Sequence, residues 1–64
     1  MRYYKFEFLR GDAKYDLGGN FIEADRENAE HLFKLFYAGG INEAWGKADE
    51  WATANNCFDF RLIQ

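Results

Sequence analysis

Both ends of this chain alternate apolar and polar residues, which is the repeat of a β-strand that buries one face. Near the N-terminus, Tyr4, Phe6 and Phe8 fall on one side of the segment "RYYKFEFL". Near the C-terminus, the segment "CFDFRLIQ" places Phe58 and Phe60 on one side in the same way. The alternation therefore predicts a first and a last strand, whose core side chains are these five aromatic residues.

The segment after the first strand predicts a second strand. Turn residues in "RGDA" are followed by "KYDLGGNFIEA", in which Gly18 and Gly19 interrupt the apolar pattern. A glycine pair inside a strand indicates a bulge or a bend. We expect this segment to return along the first strand as a β-hairpin.

Helical spacing follows, and it predicts two helices. Asp25 is a suitable N-cap for the first, which contains apolar residues at positions 29, 32, 33 and 36 and ends near Ala38, before Gly39. The second begins near Ile41 and ends near Asn55. The expected fold class is α+β, a single domain over residues 1–64 in the order ββααβ. A right-handed connection would place the last strand beside the first, giving a three-stranded antiparallel sheet of order 2-1-3 with both helices on one face.

Composition limits the classes of function. Seven Phe, four Tyr and two Trp make 20% of the 64 residues aromatic, enough large rings for a small core without disulfides. Cys57 is the only cysteine, which favours a reducing, cytoplasmic compartment, and no apolar run approaches the length of a membrane span. A net charge of -3 without a basic cluster argues against direct nucleic-acid binding.

Candidate catalytic groups are few. His31, the only histidine, would lie beside Glu27 on the first helix, and Cys57 opens a strand. A metal site needs three or four ligands, and a cysteine nucleophile needs an oriented base and a lowered pKa. The sequence therefore predicts no catalytic residue, no metal site and no cofactor, and we expect a protein that is not an enzyme.

Acidic and aromatic side chains outside the predicted core favour a protein-binding surface with a basic partner. The candidate contacts on the second helix are Glu43, Asp49, Glu50 and Trp51. Glu27 and Glu30 form a second acidic patch on the first helix. An RNA-binding sheet is disfavoured, because the outer face of the expected sheet shows two carboxylates and a single ring, Tyr3.

The segment "GNFIEADRENAEHLF", from Gly19 to Phe33, resembles a strand-to-helix junction of very small phage and mobile-element proteins, among them anti-CRISPR proteins and phage inhibitors of host polymerase. The resemblance covers about a quarter of the chain. It implies a phage-encoded inhibitor that blocks a basic, nucleic-acid-binding surface of a host protein or ribonucleoprotein complex in the host cytoplasm. The alternative is an assembly protein that acts as a homodimer through a sheet edge, so both monomer and homodimer remain open.

Overall fold

The computed structural model describes residues 1–63. In this part of the chain there are five strands and one helix, which follow one another as β1 (Arg2–Arg10), β2 (Ala13–Tyr15), β3 (Phe21–Ala24), β4 (Glu30–Ala38), α1 (Ile41–Ala54) and β5 (Cys57–Leu62). The last residue of the predicted C-terminal strand, Gln64, lies outside the described residues.

Three of the strands form an antiparallel sheet in the order β4-β1-β5. The alternating first strand lies at the centre, where Tyr4 is opposite Phe36 of β4 and Phe8 is opposite Phe60 of β5. The helix connects β4 to β5 and packs on one face of this sheet, which we call the inner face. The α+β class and the central position of the first strand are confirmed.

The first of the two predicted helices is wrong, because residues 30–38 form β4. Strand β4 pairs with β1 over nine residues, from Arg2 opposite Ala38 to Arg10 opposite Glu30. Asp25 does cap a backbone turn: its carboxylate accepts hydrogen bonds from the backbone and side-chain nitrogens of Asn28 at 3.3 and 2.8 Å. A strand follows that turn, so the order ββααβ and the assignment of the second strand to the sheet edge are both incorrect.

The segment predicted to return along β1 forms a small hairpin of its own. Strands β2 and β3 pair only with each other, and the glycine pair lies in the turn between them. Asp16 orders that turn by accepting hydrogen bonds from the backbone nitrogens of Gly18 and Asn20 at 2.9 and 2.8 Å. Gly19 has a φ of 83°, which favours glycine at this position.

The predicted second helix is confirmed as α1. Its buried face is a stripe of alanines, Ala44, Ala48 and Ala52, which lets the helix lie close to the aromatic side chains of the sheet. Trp45 meets the ring of Phe6 edge-on at 5.0 Å. The ring of Trp51 lies 4.6 Å from that of Phe8, so the helix covers the inner face with small residues and two large rings.

Phe6 and Phe8 are fully buried in the middle of the core, with Tyr4 and Phe60 packed around them. The prediction that Phe58 belongs to the core is wrong. The pairing of β5 with β1 shifts register between Leu9 and Arg10, so that Cys57, not Phe58, packs against the core. Phe58 is half-buried beneath the guanidinium group of Arg26, 5.6 Å away.

Candidate functional site

The sheet face opposite the helix, which we call the outer face, is uncovered in the described part of the chain. Four of its large side chains are contiguous and exposed: Tyr3 (62%), Phe33 (58%), Leu35 (57%) and Tyr37 (47%). They come from the facing strands β1 and β4, and Ile63 adds a fifth apolar side chain after β5. We call these five residues the aromatic half of the outer face. An exposed apolar group of this size on a small protein is typical of an interaction surface.

Strand pairing determines the arrangement of the aromatic half. Tyr3 and Tyr37 are opposite each other, with their ring centroids 4.9 Å apart. Lys5 is the next residue on this face of β1, and its ammonium lies 5.5 Å from the ring of Phe33. The rings thus share one open surface that is bordered by a cation.

The rest of the outer face, apart from Leu9, is polar and centred on Glu7. The carboxylate of Glu7 accepts a hydrogen bond from Arg61 Nε at 2.8 Å and lies 3.0 Å from His31 Nδ1. Beside this group, Arg26 forms an ion pair with Asp59 at 2.8 Å. We call Glu7, His31 and Arg61 the polar end. These charged groups are paired with one another. The side chains of the aromatic half remain exposed and are therefore available to contact a partner.

The polar end makes stability depend on pH. Hydrogen bonds from His31 and from Arg61 hold the pKa of Glu7 below its ordinary value of 4.5. A carboxylate with a lowered pKa in the folded state stabilises the fold above its ordinary pKa and loses that contribution as the pH falls through the lowered value. We therefore expect Glu7→Gln to be less stable than the wild type at neutral pH, and this difference to shrink as the pH falls below 4.5.

Urea unfolding midpoints of both proteins, measured across that pH range, check this prediction. Glu50→Gln on the exposed face of α1 is the matched control, and we expect it to follow the wild type at every pH. A difference between Glu7→Gln and the wild type that stays constant with pH would contradict the assigned role of the ionised carboxylate.

The acidic residues predicted as contacts on α1 are separated from the aromatic half by the sheet. Asp49 and Glu50 are exposed on the helix, whereas Glu43 turns back to accept a hydrogen bond from the backbone nitrogen of Gly39. Trp51 is half-buried: its ring centroid lies 4.6 Å from that of Phe8, and the ammonium of Lys34 lies 5.5 Å from the ring. Trp51 therefore contributes to the core.

The second predicted acidic patch does not lie on a helix. Glu27 belongs to the turn before β4, and Glu30 begins β4 and forms an ion pair with Arg10 at 2.8 Å. His31 contacts Glu7, across the strand pair, and not Glu27. The sequence prediction also missed Phe33 and Leu35 as surface residues. In a period-2 reading of "HLFKLFYA", Phe33, Leu35 and Tyr37 share one side, but the spacing of Leu32 and Phe36 fits a helix equally well.

His31 contacts Glu7 on the outer face, whereas Cys57 packs against the core on the inner face. Within residues 1–63, no three His, Cys, Asp or Glu side chains lie close enough together to hold a metal ion. Burial raises the pKa of the Cys57 thiol, which disfavours the reactive thiolate. In the same part of the chain, the helix is too short and too polar to cross a membrane.

Comparison with known proteins adds no relative. No protein-family model matches this sequence, and neither the curated proteins nor the solved structures include a significant match.

Proposed function

We propose that this protein is a non-enzymatic protein-binding module and that the aromatic half of its outer face holds the partner. The observation that carries the proposal is the contiguous exposure of Tyr3, Phe33, Leu35 and Tyr37 on one open sheet face. Aromatic side chains supply large contact areas at low entropic cost and are enriched at the centres of interfaces. The partner's complementary surface is therefore apolar, with an acidic group placed to meet Lys5.

The inhibitor function implied by the sequence resemblance places the partner contacts on a different surface. It would use Asp49 and Glu50, which project from the opposite layer of the molecule. One flat partner surface cannot contact both layers. The two surfaces can therefore be tested separately.

The test compares capture by three immobilised variants from a bacterial lysate, quantified by mass spectrometry and followed by affinity measurements on the purified partner. Tyr3→Ser removes an exposed ring from the aromatic half, and we expect it to weaken binding at least about tenfold. Tyr15→Ser is the matched control, because Tyr15 is exposed to a similar extent (54%) but lies on the β2–β3 hairpin. We expect this control and Asp49→Lys/Glu50→Lys to bind like the wild type.

Two outcomes would overturn the proposal. Loss of binding in Asp49→Lys/Glu50→Lys, with Tyr3→Ser unaffected, would transfer the function to the acidic face of α1. Salt-dependent binding of a single-stranded RNA oligonucleotide that is lost in Tyr3→Ser would make the outer face a base-stacking platform. The structure adds Phe33 and Tyr37 to Tyr3 on this face, so the RNA titration belongs in the experiment.

A further inference from the structure

The two edges of the three-stranded sheet differ in how well they are protected. Strand β5 has six residues, and its pairing with β1 contains a register shift. Strand β4 has nine residues, no proline and an unbroken register with β1. Long, regular edge strands offer unpaired backbone groups to another strand. Strand β4 is thus the open edge of this sheet.

Backbone hydrogen bonds identify which residues of β4 face this edge. The carbonyl of Lys5 accepts a hydrogen bond from the backbone nitrogen of Ile63 at 2.9 Å, so Lys5 bonds toward β5. Leu35, opposite Lys5, must then direct its own N–H and C=O away from β1, because these groups alternate along an antiparallel pair. The carbonyl of Tyr37, two residues later, accepts a hydrogen bond from Lys47 Nζ at 2.7 Å, as expected of an edge-facing group.

We propose that a second copy of this chain occupies the open edge, with the two β4 strands antiparallel and Leu35 opposite Leu35 across a two-fold axis. In this register Phe33 faces Tyr37 of the second copy on the outer side, and Lys34 faces Phe36 on the inner side. About six backbone hydrogen bonds, two for each facing pair of Leu35, Phe33 and Tyr37, would join the copies. In two of these bonds the Tyr37 carbonyl accepts through its second lone pair, because Lys47 Nζ occupies the first.

Three neighbouring registers that keep the two outer faces on the same side are less favourable. Centring the axis on Phe36 pairs only residues 34–38 of each β4 strand, against residues 32–38 in the Leu35 register. Centring the axis on Lys34 places two ammonium groups directly opposite, which is destabilising. Centring it on Phe33 places Glu30 opposite Phe36 and His31 opposite Leu35. Only apolar side chains face one another on the outer side in the Leu35 register.

The dimer would enlarge the proposed binding surface. This consequence for function rests on the proposed function. The two three-stranded sheets become one six-stranded sheet, and the two aromatic halves join across the axis into one surface. A partner would then contact residues from both copies, so the binding surface of a single copy is incomplete. Dimer formation is measured on the chain alone. A monomeric result would therefore contradict the dimer without bearing on whether the aromatic half binds a partner.

Sedimentation equilibrium of the full chain, from micromolar to submillimolar concentrations, tests the inference. We expect a dimer in the wild type and a dissociation constant at least about tenfold larger in Leu35→Pro. Proline removes the edge-facing N–H of residue 35 but leaves the β1–β4 hydrogen bonds in place. Tyr3→Ser, on the central strand, is the control and is expected to dimerise like the wild type while it loses the partner.

A charge pair tests the register and remains informative if Leu35→Pro fails to fold. We expect Phe33→Glu and Tyr37→Lys each to weaken the dimer, and the double variant to restore it, because position 33 of one copy faces position 37 of the other. Within one copy these side chains are about 13 Å apart along the strand. A monomeric wild type, an unchanged dissociation constant in a folded Leu35→Pro, or a double variant no tighter than either single one would overturn the inference.

Discussion

Replacing Phe6 by alanine is expected to lower the free energy of unfolding by about 3–5 kcal/mol. The Phe6 side chain is fully buried, and its ring lies 5.0 Å from Trp45, 5.8 Å from Phe36 and 6.2 Å from Phe60. These rings belong to the helix and to both neighbouring strands. Removing the Phe6 ring would therefore leave a cavity at the point where the helix and the three strands meet. A chain of this length has a total stability of only about 3–10 kcal/mol. The variant is therefore expected to be partly or wholly unfolded at room temperature.

Phe33→Ala is the matched control, because it removes the same ring from the exposed outer face. At protein concentrations at which the chain is monomeric, we expect it to change the unfolding free energy by less than about 1 kcal/mol. If Phe6→Ala cannot be purified folded, Phe6→Leu provides a milder deletion, with an expected loss of about 1–2 kcal/mol. Urea unfolding followed by tryptophan fluorescence measures all three. Equal losses at positions 6 and 33 would contradict the assignment of inner and outer faces.

The strands and helices that the sequence predicts correctly are those that bury only one face. Tyr4, Phe6 and Phe8 alternate because only the inner face of β1 contacts the helix, and Glu7 on the other face is polar. In α1 the buried residues recur every four positions, and Gly40 precedes the first helical residue. For these segments, one buried face leaves one clear period in the sequence.

Strand β4 was mistaken for a helix because it carries apolar residues on both faces. Leu32 and Phe36 face the core and are four residues apart, a spacing that fits a helix as well as a strand. Phe33 and Leu35, on the outer face, fill the gaps in the alternation. The choice between the two structures depends on pairing with β1 over nine residues, a long-range contact that local periodicity does not contain.

The same error concealed the candidate binding surface. Tyr3 is predicted to lie on the outer face, and it is exposed there. The sequence could not show that Tyr37 lies against Tyr3, since that contact requires β4 beside β1. Likewise, the register shift that turns Phe58 out of the core depends on the pairing of β5 and is not visible in an alternating pattern.

Replacing Ala48 by leucine is the second change with a large expected effect, a loss of about 1–3 kcal/mol in the free energy of unfolding. Ala48 is fully buried at the middle of the alanine stripe, against a sheet whose inner face is filled by large rings. Three extra carbon atoms at this position have no space unless the helix moves away from the sheet. The expected fall in the thermal midpoint is about 4–8 °C for each kcal/mol lost.

Ala54→Leu is the matched control, since position 54 is exposed near the end of the same helix. Alanine and leucine have similar helix propensities, so this variant should melt close to the wild type. A folded Ala48→Leu as stable as Ala54→Leu would mean that the helix has room to spare above the sheet. A large loss at position 48 alone would mean that close approach of the helix is required to bury Phe6 and Phe8. In that case α1 is committed to the core by its alanine stripe, which leaves the outer face as the large apolar surface free for a partner.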